Sequence, residues 1–148
     1  MRYQHLFLLI ILGSVFSCRT RNVEPADEAL FTGTFKASEV KEGNVLVYRE
    51  GATNNIIPGY ASYRIALLNE NGERKVVLTE FTGERFEGIW TYSSPDQLLT
   101  LGALSPQPAS ITFVYKVESL TQSSLILVNT VPNPKTGQTI NRLVLVPE

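Results

Sequence analysis

Arg85-Phe86-Glu87-Gly88-Ile89-Trp90-Thr91-Tyr92 is the clearest alternating stretch of the chain. Phe86, Gly88, Trp90 and Tyr92 share one side of an extended backbone, and Arg85, Glu87 and Thr91 share the other. Successive strand side chains point to opposite faces, so this pattern predicts a half-buried β-strand. A helical turn would scatter the same aromatic residues around its axis.

The period of two continues outward in both directions. Upstream, residues 60–68 and 74–81 are apolar runs joined by Asn71-Gly72. Both residues of that pair tolerate positive φ, which a two-residue hairpin turn demands. Further upstream, Phe31, Gly33, Phe35 and Ala37 alternate with Thr34, Lys36 and Ser38, and residues 44–49 form a short second run. Downstream, Ser93-Ser94-Pro95-Asp96 reads as a turn and residues 97–101 as the returning strand. Ile111, Phe113, Tyr115 and Val117 alternate next, residues 125–129 follow a turn at 120–124, and residues 140–146 close the series. Residues 51–59, 102–108 and 131–138 read as the longer loops.

Eight or nine short strands, turn signals between neighbours and no amphipathic helix predict an all-β domain. Meander connections favour a single antiparallel up-and-down β-barrel of about eight strands, which leaves no sheet edge open.

The N-terminus reads differently. Arg2 precedes an apolar run, Leu6-Phe7-Leu8-Leu9-Ile10-Ile11-Leu12, and then Gly13-Ser14-Val15-Phe16-Ser17-Cys18. A positive start, a short apolar core and small residues before a break make a secretory signal. The stretch Val15-Phe16-Ser17-Cys18 resembles a lipobox, with Val at −3, Ser at −1 and Cys at +1. That resemblance implies cleavage before Cys18, a thioether-linked diacylglycerol on its sulfur and acylation (palmitate) of the new N-terminus. Buried acyl chains contribute ~0.8 kcal/mol per methylene, so two or more make membrane residence stable. The expected organisation is 1–17 lipoprotein signal peptide, 18–29 lipidated N-terminus and tether, and 30–148 barrel domain. Arg19 stands where Asp commonly marks inner-membrane retention in Gram-negative lipoproteins. By that analogy the expected location is the cell envelope, at the outer membrane facing the periplasm.

Composition narrows the chemistry. Hydrophobic residues make up 43% of the chain, a globular proportion. The formal net charge is −1 and the signal contributes only Arg2, so the mature part is slightly more acidic and offers no basic patch for nucleic acid. Cys18 is the single cysteine, which leaves no intramolecular disulfide. The single histidine, His5, lies in the signal. Serine–histidine and cysteine–histidine nucleophile pairs are therefore absent from the mature chain, as are the commonest zinc ligands. No phosphate-cradling glycine loop appears. Glu80, Glu84 and Glu87 lie close in sequence, but around a charged turn they read as solvated surface and not as a catalytic pair. No catalytic residue, metal site or cofactor is expected, and the chain reads as a non-enzyme.

Three stretches carry a family resemblance. They are Leu30-Phe31-Thr32-Gly33-Thr34-Phe35-Lys36, then Phe86-Glu87-Gly88-Ile89-Trp90-Thr91-Tyr92, and Tyr115-Lys116-Val117-Glu118-Ser119-Leu120-Thr121-Gln122-Ser123-Ser124-Leu125-Ile126-Leu127. In order and spacing the chain resembles the lipocalin-like lipoproteins of Gram-negative bacteria over residues 30–147, with Phe35 where the first-strand Trp usually stands. The resemblance implies an eight-stranded barrel around a cavity.

Two functions follow as expectations. In the first, a lipid-anchored barrel binds a small apolar ligand, with Phe86, Trp90, Tyr92, Phe113 and Tyr115 lining the site. In the second, a barrel with a solid core docks an envelope protein partner through its loops. A ligand-sized internal cavity favours the first and a filled interior the second. A recessed polar or charged cluster would favour an enzyme, which the sequence gives no reason to expect.

Overall fold

The computed structural model describes residues 31–108 and 113–148. The signal, Cys18, the tether and Ile111 lie outside the described residues. Among the described residues nine strands run in chain order: β1 Gly33–Glu42, β2 Val45–Arg49, β3 Arg64–Glu70, β4 Glu73–Thr79, β5 Arg85–Ser93, β6 Leu98–Ser105, β7 Phe113–Leu120, β8 Leu125–Asn129 and β9 Asn141–Pro147.

Every strand pair is antiparallel, and β9 returns to pair with β1 along Phe35↔Pro147 to Glu42↔Asn141. The ring β1-β3-β4-β5-β6-β7-β8-β9 is therefore a closed eight-stranded barrel. β2 is additional. It pairs with Glu39–Glu42 of β1, while residues 33–36 of the same strand pair with β3. One long strand thus serves two neighbours along one edge. The expected up-and-down barrel is the fold the chain forms.

Inward positions carry the core. They are Ile65 and Leu67 on β3, Val76 and Leu78 on β4, Phe86 and Trp90 on β5, Leu99 and Leu101 on β6. Phe113, Tyr115 and Val117 follow on β7, Leu125 and Leu127 on β8, Leu143 and Leu145 on β9. On β1 the inward set changes parity, from Phe35 and Ala37 to Val40. The ladder to β9 skips a residue between Ala37 and Glu39, so Ser38 is a bulge, and its hydroxyl donates to the Val144 carbonyl at 3.1 Å. Outward positions hold exposed ion pairs such as Lys75–Glu70 and Arg142–Glu118, each contributing about 0–1 kcal/mol.

Asn71-Gly72 forms the expected hairpin turn, with φ of +53° and +84°. Of the boundaries that differ from the expected ones, two have a local cause. Residues 60–62 belong to a 3-10 turn, Pro58–Ser62, because Pro58 presets φ and lacks a ladder N–H. β6 runs on to Ser105 through Gly102, which the sequence reads as a loop start. The strand survives there because Ala103, at φ +50°, absorbs a register shift against β5 between Glu87 and Ile89.

That shift presses Gly88 against β6. A Cβ on Gly88 would collide with the Gly102 carbonyl oxygen, whereas a Cβ on Gly102 meets nothing. Gly88→Ala is expected to cost roughly 2 kcal/mol by forcing a backbone shift. Gly102→Ala should be near neutral. Paired denaturant titrations read both; equal losses would show that the close approach at Gly88 does not matter.

Candidate functional site

The barrel has two unlike ends. One carries the tight turns at 71–72, 94–97 and 121–124 and the start of β1. The other gathers the longer connections 50–63, 80–84 and 130–140. The five aromatic candidates divide between them.

At the tight-turn end, Trp90 is 1% exposed and packs 5.9 Å from Phe31 between ring centroids. Half-buried Tyr92 lies 4.5 Å from the same Phe31 ring. Trp90 Nε1 donates to the Leu68 carbonyl at 3.0 Å, and the Arg74 guanidinium stands 5.1 Å over the indole. This end is stoppered by an apolar plug.

At the loop end, Phe86 and Phe113 face each other at 6.0 Å, and buried Tyr115 points its hydroxyl to that of Tyr63 at 3.4 Å. The inward parity of three strands continues here into polar residues. Glu80 follows Val76 and Leu78, Asn129 follows Leu125 and Leu127, and Asn141 precedes Leu143 and Leu145; all three are buried.

Glu80 corrects the sequence reading. Glu84 and Glu87 are exposed as expected, but Glu80 is 2% exposed and faces the recess. Its carboxylate and that of Glu84 are both bridged by the Lys135 ammonium, which comes from the far side of the barrel mouth. The same ammonium stands 5.8 Å over the Phe86 ring. Asn133 Oδ1 accepts from the Lys135 N–H at 2.9 Å and opens the 3-10 turn Pro134–Thr136, which Gly137 closes at φ +69°. Asn141 Oδ1 then accepts from Thr139 Oγ1 at 2.7 Å and Thr136 Oγ1 at 3.1 Å. Tyr60 stacks on Phe81 at 4.7 Å and donates to Glu42 Oε1 at 2.9 Å.

Burial raises the Glu80 carboxyl above the ordinary carboxylate range, and the Lys135 hydrogen bond pulls against that rise. Burial works against the Lys135 ammonium too, but its two carboxylate partners outweigh it and raise its pKa. Tyr63 and Tyr115 are both held protonated well above their usual range, chiefly by burial.

A recess lined by Tyr60, Tyr63, Glu80, Tyr115, Asn129 and Asn141 encloses only about 10 Å³. That is the room of about one water. The Lys135 bridge to Glu80 and Glu84 crosses the barrel mouth beside this recess. An open depression of about 840 Å³ lies outside, over β4 and β5 between Gly72, Lys75, Ile89, Thr91 and Ala103. Among the described residues no group of three or more His, Cys, Asp or Glu gathers as metal ligands.

No protein-family model matches the chain, and no curated protein matches it in sequence. Two solved structures are similar to it. A lipocalin-like protein from Bacteroides uniformis is 14% identical, with a TM-score of 0.45, and the match covers 80% of this chain and 99% of that one. An uncharacterized protein from Bacteroides eggerthii is 16% identical, with a TM-score of 0.44 and the same coverage. The barrel itself rests on the β1–β9 ladder that closes it.

Proposed function

We propose that this chain is a lipid-anchored, non-enzymatic barrel of the cell envelope that docks an envelope protein partner through its loop end. One observation carries the choice. Among the described residues the inward side chains are buried from the Phe31–Trp90 contact to the Glu80 recess, and that recess holds only about 10 Å³, too little for a ligand of ordinary size. Recognition then falls to the outside. Val45 at the start of β2 and Ile56, Val131 and Ile140 on the connections sit exposed at the loop end, while the first strand, to which the tether leads, begins at the opposite end. A chain anchored through Cys18 at the periplasmic face of the outer membrane would be held from the tight-turn end, leaving those connections free.

The test uses the full chain expressed in a Gram-negative host. Labelled palmitate should enter the wild type and be lost in Cys18→Ala. In-cell cross-linking should capture a stoichiometric envelope partner that Val131→Asp plus Ile140→Asp releases. An unlabelled wild type sinks the anchor; labelling without a partner sinks the docking.

The outer depression of about 840 Å³ favours a second reading, a small apolar ligand held against Ile89 and Ala103 on the barrel wall. Of the five aromatic candidates, Trp90 alone lines this depression. Native mass spectrometry of delipidated protein that retains an apolar molecule, lost in Ile89→Asp, would select it.

A further inference from the structure

We propose that the position between Glu80, Glu84 and the Phe86 ring, at the edge of the loop-end recess, is an alkylammonium-binding site, occupied here by the chain's own Lys135, and that its external ligand is a molecule presenting a primary ammonium on an alkyl stem. Neither the lipid anchor nor the protein partner is required for it.

Three independent features converge. The first is the chemistry of the walls. A carboxylate that is 2% exposed, a second carboxylate at the rim and the Phe86 ring face surround one ammonium. Paired negative charge with an aromatic face is what recognises an organic cation.

The second feature is the contrast between the ends. Phe31, Trp90 and Tyr92 close the tight-turn end with apolar contacts. The same parity could have supplied apolar residues at 80, 129 and 141. Instead Glu80, Asn129 and Asn141 are buried there with Tyr63 and Tyr115. Replacing a buried ion pair with well-packed apolar groups is often neutral or stabilising, so structural closure alone does not call for this set.

The third feature is the origin of the cation. Lys135 is supplied by a connection and not by a strand. Its segment is held mainly by bonds within itself and to neighbouring β9, through Asn133, Thr136, Thr139 and Asn141. Gly137 and Gln138 both sit at positive φ beside it, at +69° and +63°. Lys135 carries two ion pairs from this segment across the mouth to the 80–84 connection. Removing that one side chain opens the ammonium position and leaves the segment's own bonds in place. An intramolecular ammonium competes at an effective concentration in the millimolar range or above, so the wild type is self-saturated.

The experiment is chemical rescue of the full chain purified in detergent, read by melting temperature. Lys135→Ala should melt below wild type, and n-butylammonium should restore most of that loss in a saturable manner, as binding to the folded state requires. Wild type should barely respond. Matched sodium chloride and 1-butanol should not rescue Lys135→Ala. Glu80→Gln combined with Lys135→Ala removes the buried charge, folds without a cation and should lose the response. If Lys135→Ala does not fold alone, refolding yield with and without n-butylammonium gives the same reading. Rescue by butanol as strong as by the amine would mean cavity filling only. That result, no rescue at all, or an undiminished response in the double variant would each overturn the site.

Discussion

Trp90→Ala lowers the unfolding free energy by about 3–5 kcal/mol, the largest loss expected of any single truncation in this barrel. Three losses add at one position. A side chain that is 1% exposed leaves a void that its neighbours on closed strands cannot collapse into. Phe31 loses its 5.9 Å ring partner, and Arg74 loses the indole beneath its guanidinium. The Leu68 carbonyl loses the Nε1 donor at 3.0 Å. Trp90→Phe keeps a ring against Phe31 and gives up the hydrogen bond and part of the volume, so it should cost well under half as much. Because Trp90 is the sole tryptophan, unfolding of the variants has to be followed by circular dichroism. A loss below about 1 kcal/mol for Trp90→Ala would mean that the tight-turn end is not plugged as described.

Trp90 was legible because its reason is local. Alternation over residues 85–92 puts it inward whatever the barrel's neighbours are, and Asn71-Gly72 fixes the neighbouring β3–β4 hairpin by backbone preference alone. The loop end was legible only by halves. Val76 and Leu78 set a parity that continues to Glu80, yet a lone carboxylate beside a charged turn reads as solvated. What makes burial tolerable is an ammonium 55 residues away, delivered by a connection whose path no periodicity encodes. Asn129 and Asn141 were hidden for the same reason, each continuing an apolar strand into polar residues at its end. The five aromatic candidates were placed on the inner face correctly as a pattern. Their division between two ends depends on strand stagger, which short-range alternation does not specify.

Lys135→Met is expected to cost about 3 kcal/mol at neutral pH, and the loss should shrink on both acid and alkaline titration. The side chain keeps its apolar stem over Phe86, so the effect isolates the charge. Glu80 then stays buried without its cation, which is the costly half of a broken pair. Lys135 is a quarter exposed, which places the cost at the low end for such breaks. The direction with pH follows from the two partners. Burial already raises Glu80, and losing Lys135 removes what held it down, so its folded pKa rises further. A carboxyl raised in the folded state is favourable below its unfolded pKa and becomes a penalty as pH climbs through the folded value. Glu84 works in the same sense. Its pKa is lowered chiefly by Lys135, so the wild type gains from it above the ordinary carboxylate range and loses that gain as pH falls. Acidification therefore brings variant and wild type together. At high pH they converge again. The raised Lys135 pKa stabilises the wild type below the ordinary lysine value and ceases to do so as pH rises through the folded one. Arg142→Met, which breaks the exposed pair with Glu118, should cost at most about 1 kcal/mol across the same range. Denaturant titrations across the pH range read all three curves. A Lys135→Met deficit that is flat with pH would show that the lysine closes the barrel mouth by packing and not by charge.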